Sequence, residues 1–173
     1  RCKIERSGQS LKITEFKKYI ADNSGDKALS SNIIFSIIPK NKNQLWIGTR
    51  LGGLNLFDKK TGDFHSFKNA SSDPKSLSNN DILCLKTDAK NQLWIGTRLG
   101  GLKLFDKKSG DFNSYKNISN DPQSLSNNDI LCLKTDNENR LWIGTSLGLN
   151  LLENISQDGK AVFKNFTVKD GLP

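Results

Sequence analysis

"NQLWIGTRLGGLNLFDKKTGDF" occupies residues 43–64, and almost the same words return as "NQLWIGTRLGGLKLFDKKSGDF" at residues 91–112. A third and looser copy begins at Arg140 with "RLWIGTSLGLNLL". One tryptophan marks each copy, and successive tryptophans are 48 residues apart, at Trp46, Trp94 and Trp142. A fixed period of roughly 20–50 residues is typical of solenoids, propellers and other repeat proteins, so this stretch decides the fold class.

Each repeat predicts four short strands separated by turns. The first strand is "DILCLKTD" at 81–88 and 129–136, matched by "IIFSIIPK" at 33–40. The second, third and fourth strands are "QLWIGTR", "GLNLFD" and "DFHSFK" in the first copy. A helical repeat would keep apolar positions at i, i+3, i+4 and i+7 over long stretches, whereas these apolar runs are short and end at turn residues. The pattern therefore predicts an all-β chain.

Both faces of the predicted first strand are apolar. Ile82 and Cys84 are expected on one side of the strand, and Leu83 and Leu85 on the other. A sheet that is wet on one face alternates apolar and polar residues, so this strand is predicted to be covered on both faces. A four-stranded antiparallel sheet between two copies of itself supplies that cover, and this is the blade packing of a β-propeller.

The repeat divides the chain into predicted blades at 29–68, 77–116 and 125–167. Residues 1–20 are predicted to be the outer strands of an incomplete blade, and residues 168–173 the start of a further blade, all in one propeller fragment. The chain then holds about 3.5 blades, whereas propellers typically have about 4–8. We therefore expect two copies to associate as a homodimer that completes a ring of about seven blades, because open blade faces are apolar.

The repeated words resemble the two-component regulator propeller repeat. The likeness lies in the pattern "LWIGT…GL…FD…TG.F..Y", preceded by "LS.N.I..L..D", and it covers residues 29–68, 77–116 and 125–152. The third copy departs from this pattern, because one glycine is lost at 147–149 and "ENISQDGKAVFKNF" adds four residues before Phe163. This departure leaves the course of the third copy's last hairpin open.

The resemblance implies the ligand-sensing domain of a bacterial two-component sensor, either a histidine kinase or a hybrid regulator. Such propellers are periplasmic, as the extracytoplasmic part of an inner-membrane sensor, and the resemblance further implies an oligosaccharide ligand and signalling through a dimer rearrangement. The 173 residues contain no kinase motif, so kinase activity is expected only in a longer parent chain. Two alternatives stay open: a protein–protein interaction scaffold without a small-molecule ligand, and an extracytoplasmic propeller lyase or hydrolase.

Candidate ligand-binding residues follow from the connectivity of the strands. Alternate loops of an antiparallel meander leave the sheet at the same end, so the loop between the second and third strands shares a face with the loop between blades. This face is predicted to collect Arg50, Arg98, Asn80, Asn128, Asp81 and Asp129. Such groups hydrogen-bond a sugar or a carboxylate-bearing ligand, although Asn and Asp also commonly cap loops and start strands. The lysine-rich hairpins at 59–60 and 107–108 are expected on the opposite face.

The sequence argues against several other classes of protein. The only histidine, His65, lies in a predicted outer strand, so we expect no catalytic residue and no enzyme activity in this segment. The spacing of Cys2, Cys84 and Cys132 suits no zinc site, so we expect no metal and no cofactor, and we expect the last two to be buried free thiols. The net charge of +8 is spread along the chain, and no apolar run approaches about 18 residues, so neither nucleic acid nor a membrane is an expected partner.

Overall fold

Short strands make up most of the chain. The computed structural model describes residues 2–7, 10–21 and 27–172, and within these ranges it describes side chains from residue 17 onward. The strands of the described residues are β1 (Cys2–Ser7), β2 (Ser10–Phe16), β3 (Ile34–Asn41), β4 (Gln44–Thr49), β5 (Gly53–Asp58), β6 (Phe64–Phe67), β7 (Ile82–Thr87), β8 (Leu93–Thr97), β9 (Gly101–Phe105), β10 (Phe112–Tyr115), β11 (Ile130–Thr135), β12 (Leu141–Thr145), β13 (Gly148–Ile155) and β14 (Ala161–Phe166). One turn of 3-10 helix, Val168–Asp170, follows β14.

Twelve of these strands form three four-stranded antiparallel sheets. Each sheet is a simple meander, and we call them blade 1 (β3–β6), blade 2 (β7–β10) and blade 3 (β11–β14). β1 and β2 pair with each other in a separate two-stranded sheet. The all-β prediction and the four-stranded antiparallel unit are confirmed. The assignment of residues 1–20 and 168–173 to parts of further blades stays a prediction, and residues 1, 8, 9 and 173 of those segments lie outside the described part.

The blades stack through their first strands, with β7 lying between β3 and β11. The Leu85 N–H donates a hydrogen bond across this stack to Ser36 Oγ at 3.2 Å. On the other side, the Cys84 thiol donates to the Ile130 carbonyl oxygen at 3.7 Å. The first strand of blade 2 is therefore covered by a neighbour on each face, as its apolar pattern predicts.

Two details of the first strand differ from the prediction. A β-bulge between Ile82 and Cys84 breaks the strict alternation, so Ile82 shares the buried positions with Leu85 rather than with Cys84. Cys84 and Cys132 are both free thiols, and burial raises the pKa of Cys84 to about 12. Cys132 was expected to be buried but is exposed, because within the described residues no blade covers its side of β11.

The spacing between blades depends on the glycine of each "LWIGT" motif. A Cβ built on Gly48 would lie 2.6 Å from Ile82 Cγ2, and one built on Gly96 would lie 2.7 Å from Ile130 Cγ2. The isoleucine that opens one blade thus fits against the bare backbone of the blade before it. Ile82 and Ile130 are fully buried, whereas Ile34, which holds the same position in blade 1, is 41% exposed.

Aromatic rings fill the outer part of the contact between blades. Phe67 of blade 1 packs against Phe105 and Phe112 of blade 2, with ring centroids 5.7 Å and 5.8 Å apart. Tyr19 packs in the same way against Phe57 and Phe64 of blade 1, at 4.8 Å and 5.8 Å. Tyr19 therefore takes the place that the 48-residue step assigns to it, one repeat before Phe67.

The Gly–Ile contact predicts that a methyl group added at the glycine lowers the free energy of unfolding. We expect Gly96→Ala to destabilise the chain by about 1–3 kcal/mol, because the added Cβ meets both the Cys84 thiol and the fully buried Ile130. Urea denaturation monitored by tryptophan fluorescence measures this change.

Gly144→Ala is the matched control for that experiment. Its Cβ meets only the thiol of Cys132, which is exposed and free to rotate away, so the cost should be smaller. Equal losses of stability in the two variants would show that stacking of the next blade does not constrain this glycine.

Candidate ligand-binding face

The turns and loops of the blades separate onto two faces. We call one the loop face: turns 50–53, 98–101 and 146–148 with the blade-to-blade loops 69–81 and 117–129. The Gly53 N–H donates to the Asn80 carbonyl and the Gly101 N–H to the Asn128 carbonyl, both at 2.8 Å, so turn and loop are joined as predicted. We call the other the hairpin face: hairpins 58–63, 106–111 and 155–161 with turns 41–44, 88–92 and 136–140. There the Lys59 N–H donates to the Asn43 carbonyl at 2.8 Å.

Asn80 and Asn128 hold the blade-to-blade loops closed. The side-chain oxygen of Asn80 accepts a hydrogen bond from the Asn69 N–H at 2.7 Å, and that of Asn128 accepts one from the Asn117 N–H at 2.8 Å. Both residues were predicted as ligand-binding candidates with loop capping as the alternative. Their amide oxygens serve the capping role in this structure.

Asp81 joins blade 1 to blade 2. Its Oδ1 accepts a hydrogen bond from the Leu51 N–H of blade 1 at 2.6 Å, and its Oδ2 lies 3.2 Å from Arg98 Nε of blade 2. The side chain of Asp81 is nearly buried and that of Arg98 is half exposed. The pair thus lies at the edge of the loop face with only the guanidinium reaching solvent.

Asp129 holds the same position one repeat later but has a different set of partners. Its Oδ2 accepts a hydrogen bond from the Ser146 hydroxyl at 2.9 Å, because serine replaces the arginine of the two earlier repeats. Its Oδ1 is buried and has no hydrogen-bond partner among the described residues. A buried carboxylate oxygen without a partner costs free energy, so this atom is a point of unmet hydrogen-bonding capacity on the loop face.

Arg50 has no aspartate at the position from which Asp81 pairs with Arg98 one repeat later. The repeat places Ile33 where Asp81 and Asp129 stand in the next two repeats. The backbone N–H of Arg50 donates to the Ile33 carbonyl at 2.9 Å, and its exposed side chain makes no ion pair within the described part of the chain. Arg50 is therefore the predicted site residue whose charged group is most available to a ligand.

The loop face also presents three leucines that the sequence prediction did not include. They follow Arg50, Arg98 and Ser146 and are 72%, 70% and 63% exposed, at Leu51, Leu99 and Leu147. The φ angles of Leu51 and Leu99 are 58° and 55°, in the left-handed region that costs a bulky residue roughly 1–2 kcal/mol. The signal was present in the sequence, since a leucine before a glycine in a turn recurs in every repeat.

The hairpin face is built on aspartate–tryptophan hydrogen bonds. Asp88 accepts from the Trp94 Nε1–H at 2.9 Å, and Asp136 accepts from the Trp142 Nε1–H at 2.8 Å. The Trp142 and Arg140 donors hold the pKa of Asp136 well below its usual range. Trp46 and Trp94 are 3% and 1% exposed and pack in the core as predicted. Trp142 is only half-buried, which differs from the prediction.

A cavity of about 560 Å³ opens on the hairpin face between blade 2 and blade 3. Its wall combines apolar and polar groups, including Trp94, Leu104, Tyr115, Arg140, Leu152 and Asn154. None of the six predicted ligand-binding residues lines it, because they all belong to the loop face. The cavity was not predicted, since it depends on how two blades meet and not on any one motif.

Side chains that could bind a metal ion do not cluster in the described part of the chain. No group of three or more His, Cys, Asp or Glu side chains in the described part could hold a metal ion. His65 lies on β6 with an exposed side chain, against the ring of Phe67. Among the described residues, no helix has the length and apolar character needed to cross a bilayer.

Comparison with known families identifies the repeat. The family model described as "Two component regulator propeller" matches residues 76–98 and 124–146. Two segments of the chain thus match the two-component regulator propeller repeat. Each matched segment contains the end of a blade-to-blade loop, the first strand and the "LWIGT" strand. The match therefore covers the strands through which the blades stack. No sequence among the curated proteins matches the chain.

Solved structures share the propeller fold. The extracellular domain assigned to hybrid two-component system BT3049 of B. thetaiotaomicron aligns with a TM-score of 0.56 at 20% identity, over 90% of this chain and 26% of that one. The extracellular domain assigned to BT4673 of the same organism aligns with a TM-score of 0.62 at 22% identity. The alignment covers 92% of this chain and 22% of that one. A third structure is a catalytically inactive histidine-to-alanine variant of Staphylococcus aureus virginiamycin B lyase, solved with quinupristin. It aligns with a TM-score of 0.52 at 15% identity, and the alignment covers 84% of this chain and 44% of that one.

These comparisons define what the chain represents. It spans about a quarter of the length of the two B. thetaiotaomicron domains. The likeness to these structures shows the fold, and the family match shows similarity to the two-component regulator propeller over residues 76–98 and 124–146.

Lys103 is a buried cation where the two other blades have asparagine. Asn55 and Asn150 donate to the hydroxyls of Ser30 and Ser126 at 2.7 Å and 2.9 Å. Lys103 is 1% exposed, and its ammonium group donates to the Ser76 carbonyl at 2.8 Å. Burial and the charge of a nearby lysine lower the pKa of Lys103 to about 8.

This lysine predicts a pH dependence of stability. From pH 8 to about 10.4 the unfolded chain still binds the proton that the folded chain has lost at Lys103, so the contribution of Lys103 to stability should rise with pH over this window, while the raised pKa of Cys84 acts in the opposite direction above about pH 9. Lys103→Asn should abolish that rise and stabilise the chain at pH 7, where the buried charge is present. Urea denaturation at pH 7, 8, 9 and 10 measures both effects. Lys90→Asn, at an exposed position, is the control, and the same change in both variants would contradict the prediction.

Proposed function

We propose that this propeller segment is part of the extracytoplasmic, periplasmic sensing domain of a bacterial two-component sensor. It detects an oligosaccharide on the loop face, and ligand binding is passed on through a rearrangement of a dimer. The family match and the extracellular domains of the B. thetaiotaomicron two-component systems support this assignment. Histidine kinase activity would belong to the parent protein, outside these residues.

The observation that carries the proposal is the repeated Arg–Leu pair on the loop face. Leu51 and Leu99 are held in a strained backbone conformation with their side chains in solvent, where they gain no burial. Backbone strain persists where the surrounding structure enforces it, and it clusters at functional sites. At Leu51 the Asp81 carboxylate stabilises this conformation by accepting the Leu51 N–H.

A saccharide suits the chemistry of this face. The C–H face of a sugar ring covers exposed leucine side chains, while guanidinium groups donate to ring hydroxyls or to a uronic acid carboxylate. Arg50 has an unpaired guanidinium within the described part of the chain, and Arg98 keeps a half-exposed one. The arginines and leucines recur with the blades, so the face suits a chain of sugar units better than a single small ion.

Two other functions compete with this one. A protein-interaction scaffold would also use the exposed leucines, and it is the stronger alternative. A lyase has a structural precedent in the propeller of virginiamycin B lyase. The single histidine of this chain lies on an outer strand away from both the loop face and the described cavity, which weighs against that alternative.

A saccharide panel tests the proposal directly. At least one charged or neutral oligosaccharide should raise the thermal unfolding midpoint of the chain, because a ligand that binds only the folded state stabilises it. Arg50→Ala should weaken that binding by about tenfold, as expected for loss of a charged hydrogen bond. Lys60→Ala on the hairpin face is the control and should leave the affinity unchanged. A panel without any stabilising saccharide would favour the scaffold.

We also propose that a second copy of the chain covers the exposed face of blade 1. Ile34 and Ile37 are 41% and 55% exposed on β3, whereas Ile82 and Leu85 at the same positions of blade 2 are 0% and 5% exposed. The contact between blades 1 and 2 supports the glycine-bearing side of another blade as the surface that would cover this face.

Sedimentation velocity tests this association. The wild-type chain should sediment as a dimer at micromolar concentration, and Ile37→Lys should convert it to a monomer by placing a charge in the apolar contact. Ile118→Lys is the control, because Ile118 is equally exposed but lies in a blade-to-blade loop. A monomeric wild-type chain at every concentration would refute the association.

A further inference from the structure

The three repeats place different residues at one position in the contacts between blades. The third strands align by their pairing: Phe57 pairs with Phe64, Phe105 with Phe112, and Leu152 with Phe163. Blades 1 and 2 thus have a phenylalanine at this position, whereas blade 3 has a leucine. The one-residue loss at 147–149 hides this correspondence in a simple 48-residue alignment.

In the contact between blades 1 and 2, the ring of Phe105 fills the space beside the tryptophan. Its centroid lies 5.5 Å from Trp46, 5.7 Å from Phe67 and 5.1 Å from Phe112. Aromatic rings at such distances gain attraction beyond the area they bury. The chain itself therefore shows that this position accepts an aromatic ring.

In the contact between blades 2 and 3, the corresponding frame is present but the ring is missing. Trp94 and Tyr115 lie 5.9 Å apart, close to the 5.8 Å of Trp46 and Phe67. Leu152 is only half-buried beside them, and the pairing of β13 with β14 shifts register between Leu152 and Asn154. The cavity of about 560 Å³ opens here, with these residues in its wall.

A second replacement adds a polar group to the same place. Tyr115 stands where blade 1 has Phe67, and its hydroxyl makes no hydrogen bond to a described residue. Burial raises the pKa of Tyr115, so the hydroxyl keeps its proton at neutral pH and offers both a donor and an acceptor. Asn113 and Asn154 add amide groups at the rim of the cavity.

We propose that the cavity between blades 2 and 3 is a binding site for a small molecule with a single aromatic ring that carries a hydroxyl group. The ring takes the position that Phe105 takes one blade earlier, against Trp94, Tyr115 and Leu152. The hydroxyl exchanges a hydrogen bond with the Tyr115 hydroxyl, and the volume lies within the roughly 300–1,000 Å³ of small-molecule sites. This site is on the hairpin face and does not depend on the saccharide proposal.

Binding of p-cresol and toluene to the 173-residue chain tests the site, with the Trp94 indole N–H signal followed by ¹H–¹⁵N NMR. Both probes should shift this signal saturably and leave that of Trp142 in place. Leu152→Phe should weaken the binding of both by at least tenfold, because the chain's own ring then occupies the site. Tyr115→Phe should weaken p-cresol binding by about fivefold, the worth of one hydrogen bond, and leave toluene binding unchanged.

Phe105→Leu is the matched variant in the preceding blade contact. It removes the ring that fills the corresponding space there, and it should create a second site that shifts the Trp46 indole signal. The proposal fails if the wild-type chain shows no saturable shift up to the solubility of either probe, or if Leu152→Phe binds p-cresol as tightly as wild type. Either result can occur with or without saccharide binding on the loop face.

Discussion

The contact between a glycine in one blade and an isoleucine in the next sets the geometry of the whole stack. Without a Cβ at Gly48 or Gly96, the following first strand comes close enough to bury Ile82 or Ile130 completely. That approach also brings the turns and the blade-to-blade loops into hydrogen-bonding distance, because they extend from the same strands. The loop face and the cavity are thus consequences of one close backbone approach, repeated at each contact.

Equivalent positions in the three blades can be compared directly, because the repeats share one fold. Where all three blades agree, as in the threonine that donates to the glycine carbonyl of the following turn, the shared residue stabilises the blade. Where one blade differs, the change alters charge or space at a defined point. Ile33 in place of aspartate leaves Arg50 without an ion pair in the described part of the chain, and Leu152 in place of phenylalanine lies at the wall of the cavity. These replacements distinguish one contact between blades from the next, in charge and in space.

The sequence predicted the strands and the two faces because both follow from local pattern and connectivity. It could not decide between ligand binding and loop capping for Asn80 and Asn128, since either role needs the same side chain at the same place. It did not predict the bulge after Ile82, and Cys84, which was expected to be buried, is only partly buried. The cavity could not be predicted from the sequence, because the space beside Trp94 depends on how far Leu152 lies from the neighbouring blade.

The two candidate sites differ in how the fold holds them. The loop face is held by hydrogen bonds that run between blades, as Asp81 of blade 2 fixes the turn of blade 1 at Leu51. The cavity is held by aromatic packing across the contact of blades 2 and 3, where Tyr115 meets Phe163 at 6.2 Å. A ligand at either proposed site would bridge two blades. Because glycine contacts fix the spacing of the stack, such a ligand would act on the boundary between the blades it bridges.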